Sequence, residues 1–570
     1  MLPFAAAIAA NVSAVMCDYS GANGTLGSAW PNPNGNEKWG VPSCLHPNMA
    51  TLLRGQLGFE GYVISDEGAI TFASGAYHNF TESILDAACL AMNAGTDLAL
   101  GGEYHTTLFQ CVERGNVTIA TLQRALGRNL KALFDVGFFD TVAAMQQGFP
   151  DPVIWNYVSD ADVGTAASLA LSQRVATESI VLLKNDDNTL PLSPAKGSVV
   201  ALIGPAGVDS NTSITQYIGS YAGCEDGPGG LRTADSRCSI SSLLNELLAQ
   251  SIAEGWTLRY APGATVNTYD TSGFYQALVA VTGADIIIFA GGIDTSQEDK
   301  STEGEANDRA TNGGQYPFAG LDMGGVQPLL LSMIANAEPA ATLVVVFFNG
   351  GPITSPVAYN RADAIIEAWY PGVRGGAAIV DILFGNISPA GRMPVTTVAS
   401  LADLPPYLDT ILSTPPGRTH MYFTGTPLRP FGFGLSYADF HYAGLSIMPS
   451  ILTPSEESFL VSATVTHAGG TSLDADEVCL LFGSFDGQSV GAASVPRQQL
   501  LGFTRLIGIH EGETRDVNFT VLRNALALVA PSGGLPVVSS GTWTLWLGGG
   551  PPSNAQYGGS DVLQGSITVF

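Results

Sequence analysis

Short apolar runs alternate with amphipathic stretches through the first part of the chain, and where each run stops it assigns an element. MLPFAAAIAA reads as a helix, and VSAVMCDY as a strand that ends at Asp18-Tyr19. A loop rich in Pro and Asn runs to about residue 48, a helix is expected around MATLLRGQL, and Tyr62-Val63-Ile64 form a buried strand ending in Ser65-Asp66 ahead of Gly68. Between Thr81 and Ala94, Ile84, Leu85, Ala88 and Met92 share one face of a helix, with Gly95 as its stop. Thr96 to Leu100 reads as another short strand, and a helical segment follows near residues 118–135. Strand, helix, strand in that order implies βα units and a parallel sheet. Three such strands do not close a barrel, which needs eight.

The pattern then changes twice. After a linker, TAASLALSQRVATESIVLLKN reads as a helix followed by a strand, and SVVALIGP, ADIIIFAGG, ATLVVVFFNGG and ADAIIEAWY are four further apolar strands. Strands apolar on both faces belong to a sheet covered on both sides. From about residue 450 the runs alternate instead. In RDVNFTV, Val517, Phe519 and Val521 fall on one face while Asp516, Asn518 and Thr520 fall on the other; FLVSATVTH, EVCLLFGSF and GTWTLWLGG behave alike. Short alternating strands with turn-rich gaps indicate a β-sandwich.

Composition narrows the function classes. The chain has 570 residues, 67 of them Gly and 33 Pro, with 46% hydrophobic residues, which is too apolar for disorder. Fifty acidic against 23 basic side chains leave a net charge of −27, which repels phosphate backbones and anionic membranes, so neither nucleic acid nor a membrane is an expected partner. No apolar run reaches the roughly 18–20 residues needed to cross a bilayer. The N-terminal apolar stretch lacks the basic residues of a signal peptide, the first Lys or Arg being Lys38, and is read as mature helix.

Asp66 is the first candidate for a reacting group. A strand end holds a side chain rigidly while the loop beyond it opens to substrate; the same position also suits an Asp that caps the next helix. The seven histidines are scattered without an HExxH or similar cluster, so no metal or other cofactor is expected. Of the seven cysteines none forms a CxxC pair, and three local disulfides with one thiol left over are expected, Cys224 with Cys238 foremost. N-x-S/T acceptors at Asn11, Asn23, Asn79, Asn116, Asn211, Asn386 and Asn518 suit a secreted chain. Asn79 also stands where a helix cap with Glu82 three residues on would use its side chain.

Ten stretches now stand in one order: LPFAAAI, AVMCDYSGANG, GYVISDEGAI, AGTDLAL, ATESIVLLKNDDNTLPL, ALIGPAG, EGEANDR, EAWYPGVRGGAAIVDILFG, PAGRMPVT and RPFGFGLSY. In that order they resemble glycoside hydrolase family 3, over nearly the whole chain. The resemblance implies a retaining β-glycosidase with a catalytic barrel, an α/β sandwich domain and a fibronectin type III-like domain. It implies a nucleophile at Asp66 and an acid/base at Glu305 in Gly304-Glu305-Ala306-Asn307-Asp308-Arg309, with Glu303 as the competitor, and it places Tyr19 beside the nucleophile as a substrate-binding phenol. A retaining mechanism needs such a carboxyl pair about 5 Å apart, one ionised to attack and one protonated to release the leaving group.

Two departures follow. Where β-glucosidases of the family carry Trp after the nucleophile, this chain has Glu67, which leans towards a pentose and an exo-1,4-β-xylosidase. The chain also starts near the family's sixth barrel strand, so an incomplete barrel is expected, either as a fragment of a longer gene product, a secretion signal then being lost with the same segment, or as a chain starting at Met1 whose missing part comes from elsewhere. The expected fold is multidomain α/β plus β: part of a (β/α) TIM-type barrel over residues 1–140, a linker over 141–165, an α/β sandwich over 166–400, a connecting segment over 401–449 and a fibronectin type III-like β-sandwich over 450–570. The expected partner is a small oligosaccharide or glycoside; oligomeric state stays open. A β-glucosidase of the same family, or a truncated non-catalytic carbohydrate-binding or scaffold remnant, is the alternative.

Overall fold

The computed structural model describes residues 2–22, 41–47, 49–74, 78–139, 164–207, 240–294, 321–406, 409, 411–486, 495–528 and 537–570. The chain divides into two compact units, Met1–Asp160 with Ser532–Leu535, and Ala161–Pro531 with Pro536–Phe570.

The first unit opens with helix α1 (Leu2–Ala9) and strand β1 (Ala14–Cys17), followed by a short ladder of β2 (Gly21–Ala22) with β3 (Val41–Pro42). Met49–Gln56 winds as a π-helix where an ordinary helix was expected. Strand β4 (Tyr62–Ser65) lies parallel to β1, with Cys17 opposite Ser65. Helices α2 (Ala69–Phe72), α3 (Ile84–Ala94), α4 (Glu103–Glu113) and α5 (Ile119–Asp135) follow among the described residues. The expected third strand, Thr96 to Leu100, is reduced to one parallel bridge between Leu98 and Ile64. Its chain turns at once into Gly101-Gly102 and α4, so the ladder has no length in which to grow. Helix α3 starts at Ser83, whose hydroxyl accepts the Asp86 N–H at 3.1 Å, and stops at Gly95 in the left-handed conformation. Asn79 is therefore not its cap.

The second unit begins with α6 (Ala166–Ser179), β5 (Val181–Asn185), β6 (Val199–Ile203), α7 (Leu243–Glu254) and β7 (Thr257–Ala261). It continues through α8 (Phe274–Val281), β8 (Ile286–Gly292), α9 (Gln327–Ala337), β9 (Thr342–Phe348), α10 (Pro356–Arg361), β10 (Ala364–Glu367) and α11 (Gly375–Leu383). The six strands order as β5-β10-β9-β8-β6-β7, parallel except where β5 runs against β10. One face buries Leu182, Leu202, Ile288, Val344 and Ile366 with residues of α6, α7 and α11. The other buries Ile203, Ile287, Phe289, Val345 and Ile365 with residues of α8, α9 and α10. Gly204, after β6, has φ +113, and a Cβ there would meet the Ala290 carbonyl oxygen at 2.1 Å. The glycine of IGPAG thus serves close strand packing.

The β-sandwich starts before residue 450, with β11 (Asp439–Met448), and continues through β12 (Ile451–Leu452), β13 (Ser458–Gly469), β14 (Ala475–Phe485), β15 (Gln499–Ile509) and β16 (Thr514–Leu522). After the small ladder of β17 (Ala527–Leu528) with β18 (Val537–Val538) come β19 (Gly541–Gly548) and β20 (Val562–Val569). A three-stranded sheet, β11-β13-β16, faces a five-stranded one, β12-β20-β19-β14-β15, around Phe459, Val461, Leu481, Trp543 and Leu545. Along β16, Val517, Phe519 and Val521 are buried while Asn518 and Thr520 are exposed, as the alternation requires. Arg392 joins the sandwich to the α/β sheet domain: its guanidinium meets the fully buried Glu477 carboxylate at 2.7 Å and the Gly549 carbonyl at 2.9 Å. Tyr442 donates to the other Glu477 oxygen at 2.8 Å. Burial pushes the Glu477 carboxyl up, and the Arg392 charge opposes that rise.

Candidate active site in the first unit

Asp66 follows β4 directly, at the C-terminal end of the parallel pair. Its own N–H donates to the Cys17 carbonyl at 2.8 Å, so the neighbouring strand fixes its backbone. The carboxylate is half-exposed, and one oxygen accepts the Glu67 N–H at 2.7 Å. The Asp66 carbonyl takes the Ala69 N–H at 3.1 Å, turning the chain through Gly68 into α2. A side chain held on its backbone side and open on the other is placed to act on a ligand.

Tyr19 adjoins this loop. Its hydroxyl donates to the Glu67 carbonyl at 2.5 Å, and its ring meets Phe72 of α2 edge-on with centroids 5.0 Å apart. His78 donates from Nε2 to the Tyr19 carbonyl at 2.7 Å. The phenol therefore braces the peptide after Asp66. Glu67 itself is exposed. Glu305 and its competitor Glu303 lie outside the described residues, as do Cys224 and Cys238.

Sequence reasoning missed what holds the strand. Asp97, 6% exposed, accepts Arg54 at 2.6 Å and Arg128 at 2.8 Å, and the same carboxylate takes the Val63 N–H of β4 at 2.9 Å. Arg54 also donates to the Gly61 carbonyl at 2.8 Å. Glu103, buried at the start of α4, accepts from the Thr71 hydroxyl at 2.9 Å and pins α2. The signal for Asp97 was an acid inside an apolar run, AGTDLAL, where an unpaired charge is costly and a cation has to be near. Two disulfides lie beside these groups, Cys17–Cys44 and Cys89–Cys111, while Cys479 is a buried free thiol of the sandwich. Among the described residues no group of three or more His, Cys, Asp or Glu is arranged to hold a metal ion.

Comparison with known proteins decides the family. Residues 1–132 match the glycosyl hydrolase family 3 N-terminal domain, and residues 180–437 match the C-terminal domain of the same family. The chain belongs to glycosyl hydrolase family 3. A third match, over residues 477–550, is to a fibronectin type III-like domain, in keeping with the sandwich. Among curated relatives, this family 3 chain is 34% identical over 563 residues to a protein of Aspergillus fumigatus named probable exo-1,4-beta-xylosidase. It is 32% identical over 560 residues to one of Emericella nidulans named exo-1,4-beta-xylosidase. The alignments cover 94% and 95% of this chain but 64% of each relative, so the chain spans less than two thirds of their length.

Among solved structures, a GH3 exo-beta-xylosidase in complex with a xylobiose aziridine probe superposes with a TM-score of 0.76 at 28% identity. It covers 98% of this chain and 66% of that one. A β-glucosidase from Erythrobacter marinus superposes at 0.73 and 25% identity, over 93% and 66%.

Proposed function

We propose that this family 3 chain is, or is part of, a retaining β-glycosidase that removes terminal β-linked sugars from oligosaccharides or glycosides, as an exo-1,4-β-xylosidase does. The observation that carries the reading is Asp66: a half-exposed carboxylate at a parallel strand end, on a residue whose backbone N–H donates to the Cys17 carbonyl and whose following peptide is braced by Tyr19. In this reading Asp66, ionised, attacks the anomeric carbon. Glu305 protonates the departing oxygen and later takes a proton from water. The xylosidase names of the relatives and an exposed Glu67, where an aromatic side chain would stack on a hexose, favour a pentose. Two disulfides among the described residues and seven glycosylation acceptors favour a secreted chain.

A second reading, a non-catalytic carbohydrate-binding or scaffold protein, is favoured by the small sheet behind Asp66, which has two paired strands among the described residues. Release of nitrophenol from aryl β-xyloside and aryl β-glucoside separates the readings. Turnover of the xyloside in preference to the glucoside is expected, with Asp66→Ala lowering kcat/KM by about 10⁴-fold or more. Glu305→Ala is expected to lower it by about 10²–10⁴-fold on poor leaving groups, with azide restoring part of the rate on activated ones. Turnover that survives Asp66→Ala would sink the assignment; no turnover of either substrate would leave the second reading. Glucoside preferred over xyloside would make this a β-glucosidase.

A further inference from the structure

The five acceptor asparagines among the described residues, Asn11, Asn79, Asn116, Asn386 and Asn518, are all exposed. Their settings differ. Asn518 sits within β16, paired with Ser462 of β13. Asn386 turns its amide nitrogen to Asp381 at 3.1 Å, and Pro389 follows its acceptor serine. Asn79 stands in a turn at φ +46, a left-handed conformation that Asn tolerates well, between the buried His78 and the buried Phe80 and Thr81.

The turn is laid over α2. The His78 N–H donates to the Phe72 carbonyl at 3.2 Å, and the Phe80 and Thr81 N–H groups both donate to the Ala73 carbonyl, at 2.9 and 3.1 Å. Helix α2 has four residues and begins three positions after Asp66. At 1.5 Å per residue it is about 6 Å long, shorter than a few linked sugars. On its other side His78 reaches the Tyr19 carbonyl, and Tyr19 reaches the Glu67 carbonyl. The exposed Asn79 thus directly follows His78, which is tied through Tyr19 to the loop that carries Asp66.

We propose that Asn79 carries an N-linked glycan, and that this glycan stands beside the Asp66 loop and limits how much substrate beyond the terminal sugar can approach. The second clause rests on the reading of Asp66 as nucleophile. Attachment forms a bond between Asn79 Nδ2 and C1 of an N-acetylglucosamine. It breaks the C1–O bond of a lipid pyrophosphate-linked oligosaccharide donor, and the pyrophosphate leaves with the proton lost from Nδ2.

The test uses the full chain, secreted from yeast behind a heterologous leader. Peptide N-glycosidase in heavy-oxygen water converts each occupied Asn to labelled Asp, read by mass spectrometry with Asn116 as internal reference. Label at Asn79 is expected; an unmodified Asn79 in secreted protein overturns the proposal. Asn79→Gly removes the acceptor and takes positive φ without strain, whereas Thr81→Ser keeps the acceptor motif. The ratio of kcat/KM on xylotetraose to that on aryl β-xyloside is expected to rise about threefold in Asn79→Gly and to hold in Thr81→Ser. An unchanged ratio in Asn79→Gly overturns the screening role. If the wild type turns over neither substrate, the enzymatic reading falls and the screening role with it, while attachment still stands or falls on the mass spectrum.

Discussion

Strands β4 and β8 both precede, along the chain, residues for which chemistry is proposed, yet the two strands are held by different forces. Every residue of β8 is buried, between parallel neighbours on both sides and an apolar core on each face. In β4 burial alternates, and its ladder partners are β1 and the single bridge at Leu98. What β4 lacks in apolar cover it replaces with charge and covalent ties: Asp97 with its two arginines on one side, and the Cys17–Cys44 disulfide at the end of β1. Apolar burial is nondirectional and adds with area. A buried ion cluster works only while every member is present. Strand β4 should therefore fail abruptly at single residues where β8 yields gradually.

Asp97→Ala is the sharpest way to break this contrast, because it strands Arg54 and Arg128, whose side chains are 13% and 28% exposed. Removing one member of such a buried cluster costs about 3–5 kcal/mol. Hydrogen exchange at the Val63 and Ile64 amides should speed up by about 10²–10³-fold while β8 amides keep their protection. Unchanged exchange in β4 would show that the cluster does not hold the strand. A smaller loss, about 2–4 kcal/mol, is expected from Cys17→Ser with Cys44→Ser, which opens a loop of 27 residues. Urea unfolding followed by the same amides measures it, and equal loss in both units would erase the distinction.

The smallest effect lies at the exposed edge of the sandwich. His510 donates to Asp474 at 2.5 Å, and this bond, with the Asp474 charge, holds the imidazole above its ordinary value. A group with a raised folded-state pKa lends its stability fully below the unfolded value, about 6.5, and loses it as pH climbs through the folded one. Asp474→Asn should move the His510 midpoint, read by NMR, down towards that ordinary value and leave the apolar core signals in place.

The same contrast explains what the sequence made legible. ADIIIFAGG and ATLVVVFFNGG announce β8 and β9 because central strands of a covered sheet are apolar throughout. Strand β7, Thr257–Ala261, went unread: it is an edge strand, mostly half-buried, and its TLRYA mixes polar with apolar residues. Thr96 to Leu100 looked like a strand from apolar content alone, but a ladder also needs room before the next turn. Asp66 and Tyr19 were legible through their place at strand ends and in family motifs. Asp97 was not, since pairing with Arg54 and Arg128 depends on residues 43 and 31 positions away, which periodicity does not connect.

The bridge from Arg392 to Glu477 has a consequence for how this chain can be cut or inherited. Glu477 has no water to fall back on, and Arg392 is itself 7% exposed. A boundary drawn between the sheet domain and the sandwich would leave a guanidinium without its counter-charge on one piece and a carboxylate on the other. The fibronectin type III-like part of this molecule is therefore no detachable appendage, because it shares with the α/β layers a buried ion pair that neither piece could keep alone.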